Sequence, residues 1–318
     1  MSDSNCEDFA VLFPGQGSQK IGMLAALAEQ HTLIQETFGE ASEVLGYDSW
    51  ALIQQGEQEQ INLTERTQPL LLTASIALWR LWLQQGGPQP SVAAGHSLGE
   101  WSALVAAGVV GFADAVKIVR ERGAAMQRAV PVGEGAMAAI IGLDDAKIIA
   151  ACAEAEQGEV AAAVNFNAPG QVVIAGTAAA VERAIAGCKE AGAKRALPLP
   201  VSAPFHTSLM RPAAVALEEM VEQTAFSAPN FAVVHNVNAA TESSPAAIKR
   251  LVLEQIYQPV RWVECVQAIA ATGVSSAIEC GPGAVLSGMV KRIDRSLSCA
   301  AIDSPAAFEE ALAAISGQ

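Results

Sequence analysis

The chain has 318 residues, 51% hydrophobic and 16% charged, with 33 acidic against 19 basic side chains and a net charge of −14. That apolar content excludes a disordered chain, and the sparse charge excludes a long coiled coil. The acidic balance, without any basic run, excludes a nucleic-acid-binding role, because phosphate requires a cationic surface.

The opening MSDSNCEDF has neither the cationic start nor the apolar centre of a secretory signal. No apolar stretch free of Gly, Pro and charge reaches the ~20 residues of a membrane span. Six scattered cysteines (Cys6, Cys152, Cys188, Cys265, Cys280, Cys299) without a C-x-x-C spacing read as reduced core thiols. Four histidines without paired ligand spacing predict no zinc site. A cytoplasmic α/β protein is expected.

Phe9 to Phe13 reads as a buried strand that breaks at Pro14-Gly15-Gln16-Gly17. Gly22 to Gln30 reads helical. Thr67 to Gln85 carries apolar residues at helical spacing, with Thr67 as N-cap, Pro69 in the first turn and Gly86 ending it. A strand over Ser91 to Ala94 ends at Gly95, and helices follow over Leu98 to Ala107 and Ala113 to Val130. This alternation predicts a parallel sheet covered by helices.

The middle changes rhythm. Strand Ala136 to Ile141, a helix from Asp144 to Gln157, strands Val160 to Phe166 and Gln171 to Ala175, helix Ala178 to Ala191 and strand Ala196 to Val201 spell β-α-β-β-α-β, a ferredoxin-like order. Beyond Pro204, strand Val233 to Val237, helices near Ala246 to Ile256 and from Val260, strand Ser276 to Glu279 and a helix from Ala284 resume the first pattern. The expected fold is α/β: a large domain with a parallel sheet (1–131 and 203–318) and an inserted ferredoxin-like small domain (132–202).

Gly95-His96-Ser97-Leu98-Gly99 is a G-x-S-x-G pattern between a strand and a helix. Small residues two before and two after the Ser allow the sharp turn that presents a nucleophilic Oγ, and the Leu98 N–H is a free first-turn donor suited to an oxyanion. An N-cap serine is the alternative. A nucleophilic Ser needs a base. His31 lies in a polar stretch, His96 points away from its neighbour, and His235 lies in a strand, which leaves His206 after Pro204-Phe205 as the candidate. Arg122 has two readings: a solvated helix residue paired with Glu121 or Asp114, or a bidentate clamp for a carboxylate. The Phe13 to Gln19 turn lacks the G-K-[ST] of a P-loop, but its glycines let the Gln16 region approach a ligand closely.

Taken together, Leu12-Phe13-Pro14-Gly15-Gln16-Gly17-Ser18-Gln19, Thr67-Gln68-Pro69, Gly95-His96-Ser97-Leu98-Gly99-Glu100, Arg122, Gly135-Ala136-Met137-Ala138, Asn165 to Gln171, Pro204-Phe205-His206-Thr207 and Glu279-Cys280-Gly281-Pro282-Gly283 resemble one family over nearly the whole chain. It is the malonyl-CoA:acyl-carrier-protein transacylase family of bacterial fatty-acid synthesis. The resemblance implies a hydrolase-like large domain with a ferredoxin-like insert, and ping-pong transfer of malonyl from coenzyme A to a carrier protein's phosphopantetheine thiol through a serine ester, without cofactor or metal. It implies Ser97 as nucleophile and His206 as base, the latter oriented by the Gln255 backbone carbonyl. Gln16 and Leu98 would supply the oxyanion-hole N–H groups, Arg122 would pair with the malonyl carboxylate, and Gln68 would line the pocket.

His235 departs from the family pattern, where an uncharged residue is expected, and Ala203 before Pro204 puts no bulk there to exclude a branched acyl group. The carrier is expected to be acidic, like this chain, so docking needs a local basic patch. Candidates are Lys189, Lys194 and Arg195 on the small domain and Lys291, Arg292 and Arg295 on the last helix. A monomer is expected. The rival readings are a polyketide acyltransferase, a serine esterase using Asp114 or Asp145, and a non-catalytic carrier-binding scaffold.

Overall fold

The computed structural model of the protein describes residues 8–201 and 203–317. Cys6 and most of the N-terminal segment read above lie outside them. The chain opens with β1 (Phe9–Phe13), five buried residues in a row. Continuous burial fits a central parallel strand covered on both faces. Pro14 ends it. α1 (Ala25–Gln30) begins later than Gly22 suggested, because Gly22 and Leu24 both take positive φ angles. Three helices absent from the sequence reading follow: α2 (Thr32–Leu45), α3 (Ser49–Gln55) and α4 (Gln58–Ile61).

α5 (Thr64–Gln84) is buried along most of its length. It starts before the predicted Thr67 cap. The Thr67 hydroxyl instead donates to the Ile61 and Leu63 carbonyls at 2.6 and 3.1 Å, serving the turn before it. Pro69 therefore lies in the second turn. β2 (Val92–Gly95) leads through a sharp turn into α6 (Leu98–Ala106), then α7 (Phe112–Arg128).

Next come β3 (Gly135–Ile141), α8 (Asp145–Glu156), β4 (Ala161–Ala168), β5 (Gln171–Thr177), α9 (Ala178–Glu190) and β6 (Arg195–Pro198). Asp144 caps α8, as its position predicted, by accepting from the Ala146 N–H at 2.9 Å. The strands form one antiparallel sheet in the order β4-β5-β3-β6, the ferredoxin-like arrangement. A 3-10 turn at Ser208–Met210 then leads into α10 (Arg211–Gln223), β7 (Ala232–Val234), α11 (Pro245–Glu254), α12 (Trp262–Ala270), β8 (Ser276–Glu279), α13 (Val285–Ile293), β9 (Ser298–Ala301) and α14 (Pro305–Ser316). The second sheet, β7-β2-β1-β8-β9, is parallel throughout. β7 is shorter than predicted, so His235 falls just beyond the strand. Lys291 and Arg292 lie on α13, which α14 follows, so they are not on the last helix.

Each sheet has two apolar faces. One face of the large sheet packs under α5 and α6, the other under α12 and α13. The small sheet is covered by α8 and α9 on one side. Its other side, with Met137, Val164 and Val173, packs on Phe205, Met210 and Ile256 of the large domain. A backbone seam joins the two parts: Phe166 N–H donates to Val260 O at 3.0 Å, and Val260 N–H to Val164 O at 2.8 Å. A cavity of about 330 Å³ opens between the sheets, beyond the C-terminal ends of β1 and β2, where parallel α/β sheets place their ligand sites. Among the described residues, no helix is long and apolar enough to cross a membrane.

Candidate active site

Strand β2 ends at Gly95 and α6 starts at Leu98, so His96 and Ser97 alone reverse the chain. Ser97 sits at φ 51°, ψ −105°, a strained setting for a residue with a side chain. The flanking glycines are obligatory: a Cβ on Gly95 would lie 1.9 Å from the Gly99 carbonyl, and one on Gly99 2.0 Å from Phe13 O. This is the sharp strand-to-helix turn that the G-x-S-x-G spacing predicted, and Ser97 lines the cavity.

His206 enters from the other end of the insert, 109 positions away, and its ring meets the serine: Nε2 lies 2.8 Å from Ser97 Oγ. Nδ1 lies 2.8 Å from the Gln255 backbone carbonyl. A carbonyl only accepts, so Nδ1 carries the proton and Nε2 presents its lone pair to the hydroxyl. Burial, with Arg122 second, pushes the imidazole down to about 3. The ring is therefore a neutral acceptor at ordinary pH. His206 also holds a positive φ of 64°.

Arg122 is 1% exposed, so the solvated-face reading fails. Its helix, α7, turns this residue inward between α5 and the elbow. Nη1 donates to Gln68 Oε1 at 2.8 Å, and Nη2 to Gln255 Oε1 at 2.9 Å and Ser97 Oγ at 3.3 Å. Burial lowers the guanidinium to about 10, with Glu100 pulling the other way. Its Nε has no partner among the described residues. A buried cation short of acceptor partners beside a cavity fits an anionic group entering there.

Gln16 and Leu98 also line the cavity, Leu98 as the first residue of α6, whose N–H no intrahelical carbonyl can take. His96 lines the cavity beside Ser97, with Nε2 2.7 Å from Asn167 Oδ1 and its ring edge-on to Trp262; burial lowers its proton affinity. His31 joins α1 to α2. His235 is buried behind the elbow, with Nδ1 2.8 Å from Glu100 Oε1. Sequence reasoning missed Glu100 and Asn236. Glu100 is signalled only by lying three residues after Ser97 at a helix start, and Asn236 by nothing local.

The six basic candidates are exposed. Arg292 bridges from α13 to the β4–β5 turn, donating to Gln171 Oε1 and, at 3.0 Å, to Pro169 O. Lys194 lies over Gly142. Lys189 is on α9, on the face of the small sheet away from the cavity. Arg195 starts β6, Lys291 lies in the last turn of α13, and Arg295 follows that helix.

The acyl transferase domain family matches residues 11–307. The chain is also 58% identical over 304 residues to the malonyl CoA-acyl carrier protein transacylase of Salmonella typhimurium, spanning 96% of this chain and 98% of that one. The chain belongs to the malonyl CoA-acyl carrier protein transacylase family. Solved members superpose closely. An acyl carrier protein S-malonyltransferase from Vibrio cholerae is 57% identical with a TM-score of 0.94, covering 96% of this chain and 99% of that one. A malonyl-transacylase in complex with a type II PKS acyl-carrier protein is 54% identical with a TM-score of 0.95, at 96% and 99% coverage. The family's fold matches the layout above: a large domain with a parallel sheet and a ferredoxin-like small domain.

Proposed function

We propose that this protein transfers a malonyl group from malonyl-CoA to the phosphopantetheine thiol of an acyl carrier protein. The observation that carries the reading is the Ser97–His206–Gln255 carbonyl chain with the Arg122 guanidinium beside the hydroxyl. Ser97 Oγ attacks the thioester carbonyl carbon while His206 Nε2 takes its proton. The negative oxygen sits against the Leu98 and Gln16 N–H groups. Collapse breaks the C–S bond, and His206 returns the proton to the departing CoA sulfur. The carrier thiol then gives its proton to His206 and attacks the ester, and Oγ leaves with that proton. No electrons change hands, so no redox cofactor is required.

Arg122 receives the free malonyl carboxylate, and Gln68 holds one arm of the guanidinium. An esterase triad would place a carboxylate on His206 Nδ1. Here that proton goes to a carbonyl, while Asp114 pairs with Lys117 at the surface and Asp145 sits in the exposed first turn of α8. All these residues belong to one chain, so a monomer suffices. The division into 1–131 with 203–318 and an insert of 132–202 is supported by a second sheet that starts at Gly135 and ends at Pro198. Unpaired thiols at Cys152, Cys188, Cys265, Cys280 and Cys299 suit a reducing cytoplasm.

Mass spectrometry after mixing with malonyl-CoA is expected to find one malonyl ester on Ser97, which the carrier thiol then removes. An adduct that persists in Ser97→Ala would refute the assignment.

A further inference from the structure

Behind the elbow lies a buried carboxylate that the transfer steps do not use. Glu100, in the first turn of α6, is fully buried. Its Oε1 accepts from His235 Nδ1 at 2.8 Å. Its Oε2 accepts from the Asn236 N–H at 2.9 Å and from Gln255 Nε2 at 2.8 Å. Three donors on two oxygens fit the ionised form, and a helix N-terminus favours the negative charge.

Each of two donors reaches a reacting group. Asn236 Oδ1 accepts the Ser97 N–H at 2.8 Å, and its Nδ2 donates to Gly95 O at 2.8 Å, clasping the strained elbow on both sides. The Gln255 amide donates also to Ser97 O at 3.0 Å. Its Oε1 receives Arg122 Nη2, and its backbone carbonyl receives His206 Nδ1. In a capping box a residue three past the N-cap reaches back to the N-cap N–H itself. Here Asn236 is interposed, so the link extends from α6 to the segment after β7.

We propose that Glu100 is a positioning residue whose carboxylate, through Asn236 and Gln255, sets Ser97, His206 and Arg122 in one frame. The proposal rests on Ser97 and His206 being nucleophile and base. Replacing one oxygen by an amide forces the NH₂ toward a donor, unless His235 moves its proton to Nε2. That atom is buried without a partner among the described residues. Glu100→Gln therefore strains the frame without changing its volume.

The test measures acylation of Ser97 by malonyl-CoA and, separately, by p-nitrophenyl acetate, an activated ester with no carboxylate and no CoA. A misplacement of about 1 Å costs on the order of 10²-fold, so Glu100→Gln should lose that much in kcat with both donors. KM for malonyl-CoA should move less than about threefold, since a positioning loss falls on the chemical step. A thermal melt confirms that the variant folds. If Glu100→Gln does not fold, Asn236→Ala cuts the link to the Ser97 amide and carries the same expectation. Folded variants acylated at the wild-type rate by both donors would overturn the proposal. A wild-type protein that takes the nitrophenyl ester but not malonyl-CoA would refute the malonyl reading and leave the role of Glu100 measurable with that ester.

Discussion

At position 122 a cation sits almost wholly out of water, held by two neutral amides and a hydroxyl. An acyl group ending in a methyl leaves it so, whereas a carboxylate gives it a charged partner. Losing one partner of a buried charge pair costs about 3 kcal/mol, or ~10²-fold. Arg122→Ala is thus expected to slow malonyl transfer by roughly that factor relative to acetyl transfer. Equal losses with the two acyl-CoAs would remove the clamp role. His206 titrates near 6.5 in the unfolded chain but at about 3 in the fold. Between those values the unfolded state binds more protons, so stability is full above 6.5 and declines as pH falls toward 3. Urea melts at pH 7 and pH 5 should show that loss, and His206→Gln should reduce it. Ser97 and His206 were legible because elbow spacing and a loop–helix junction leave local marks. Burial of Arg122 was not, because a helix of mixed polarity does not tell which face its neighbours cover.

The strand–elbow–helix unit of β2 and α6 depends on two backbone approaches that admit no side chain. Gly95→Ala would place a methyl carbon within 2.2 Å of the Glu100 nitrogen as well as against the Gly99 carbonyl. Relief requires moving α6, and with it the Glu100 link to Asn236. Overpacking of this kind typically costs about 1–3 kcal/mol, and the contact here is with backbone, so the upper end is expected. A fall in melting temperature together with lost Ser97 acylation would bear this out; a wild-type melt would contradict the packing. Element types with strong local grammar, such as β1 before Pro14 and the β4–β5 hairpin around Pro169-Gly170, could be read from the chain. α2, α3, α4, α10, β9 and α14 went unread. Short helices such as α4, only four residues long, owe their form to tertiary packing more than to periodicity.

Across the whole molecule, the cavity exists because the helix-free face of the small sheet is pinned against the C-terminal end of the large one. The seam at Val260 is part of that pin, through paired backbone bonds to Val164 and Phe166. Val260→Pro removes the N–H that meets Val164 and leaves a buried acceptor unpaired, a loss of about 1–3 kcal/mol. Faster hydrogen exchange across Val164 to Ala168 is the expected signature, with slower acyl transfer; unchanged exchange would show that apolar packing alone holds the seam. The ferredoxin-like order was visible in the sequence because its elements are consecutive. The large sheet's strand order was not, since its neighbours come from opposite ends of the chain. That order has a consequence for biosynthesis. β1, the central strand, gains β2 early but must wait for Ser276–Glu279 to complete its other edge. At about 5–20 residues per second, that leaves an apolar edge unpaired on the ribosome for roughly 10–40 s. A nascent chain stalled anywhere in the insert would expose a ready template for unwanted strand addition, and so would call on chaperones.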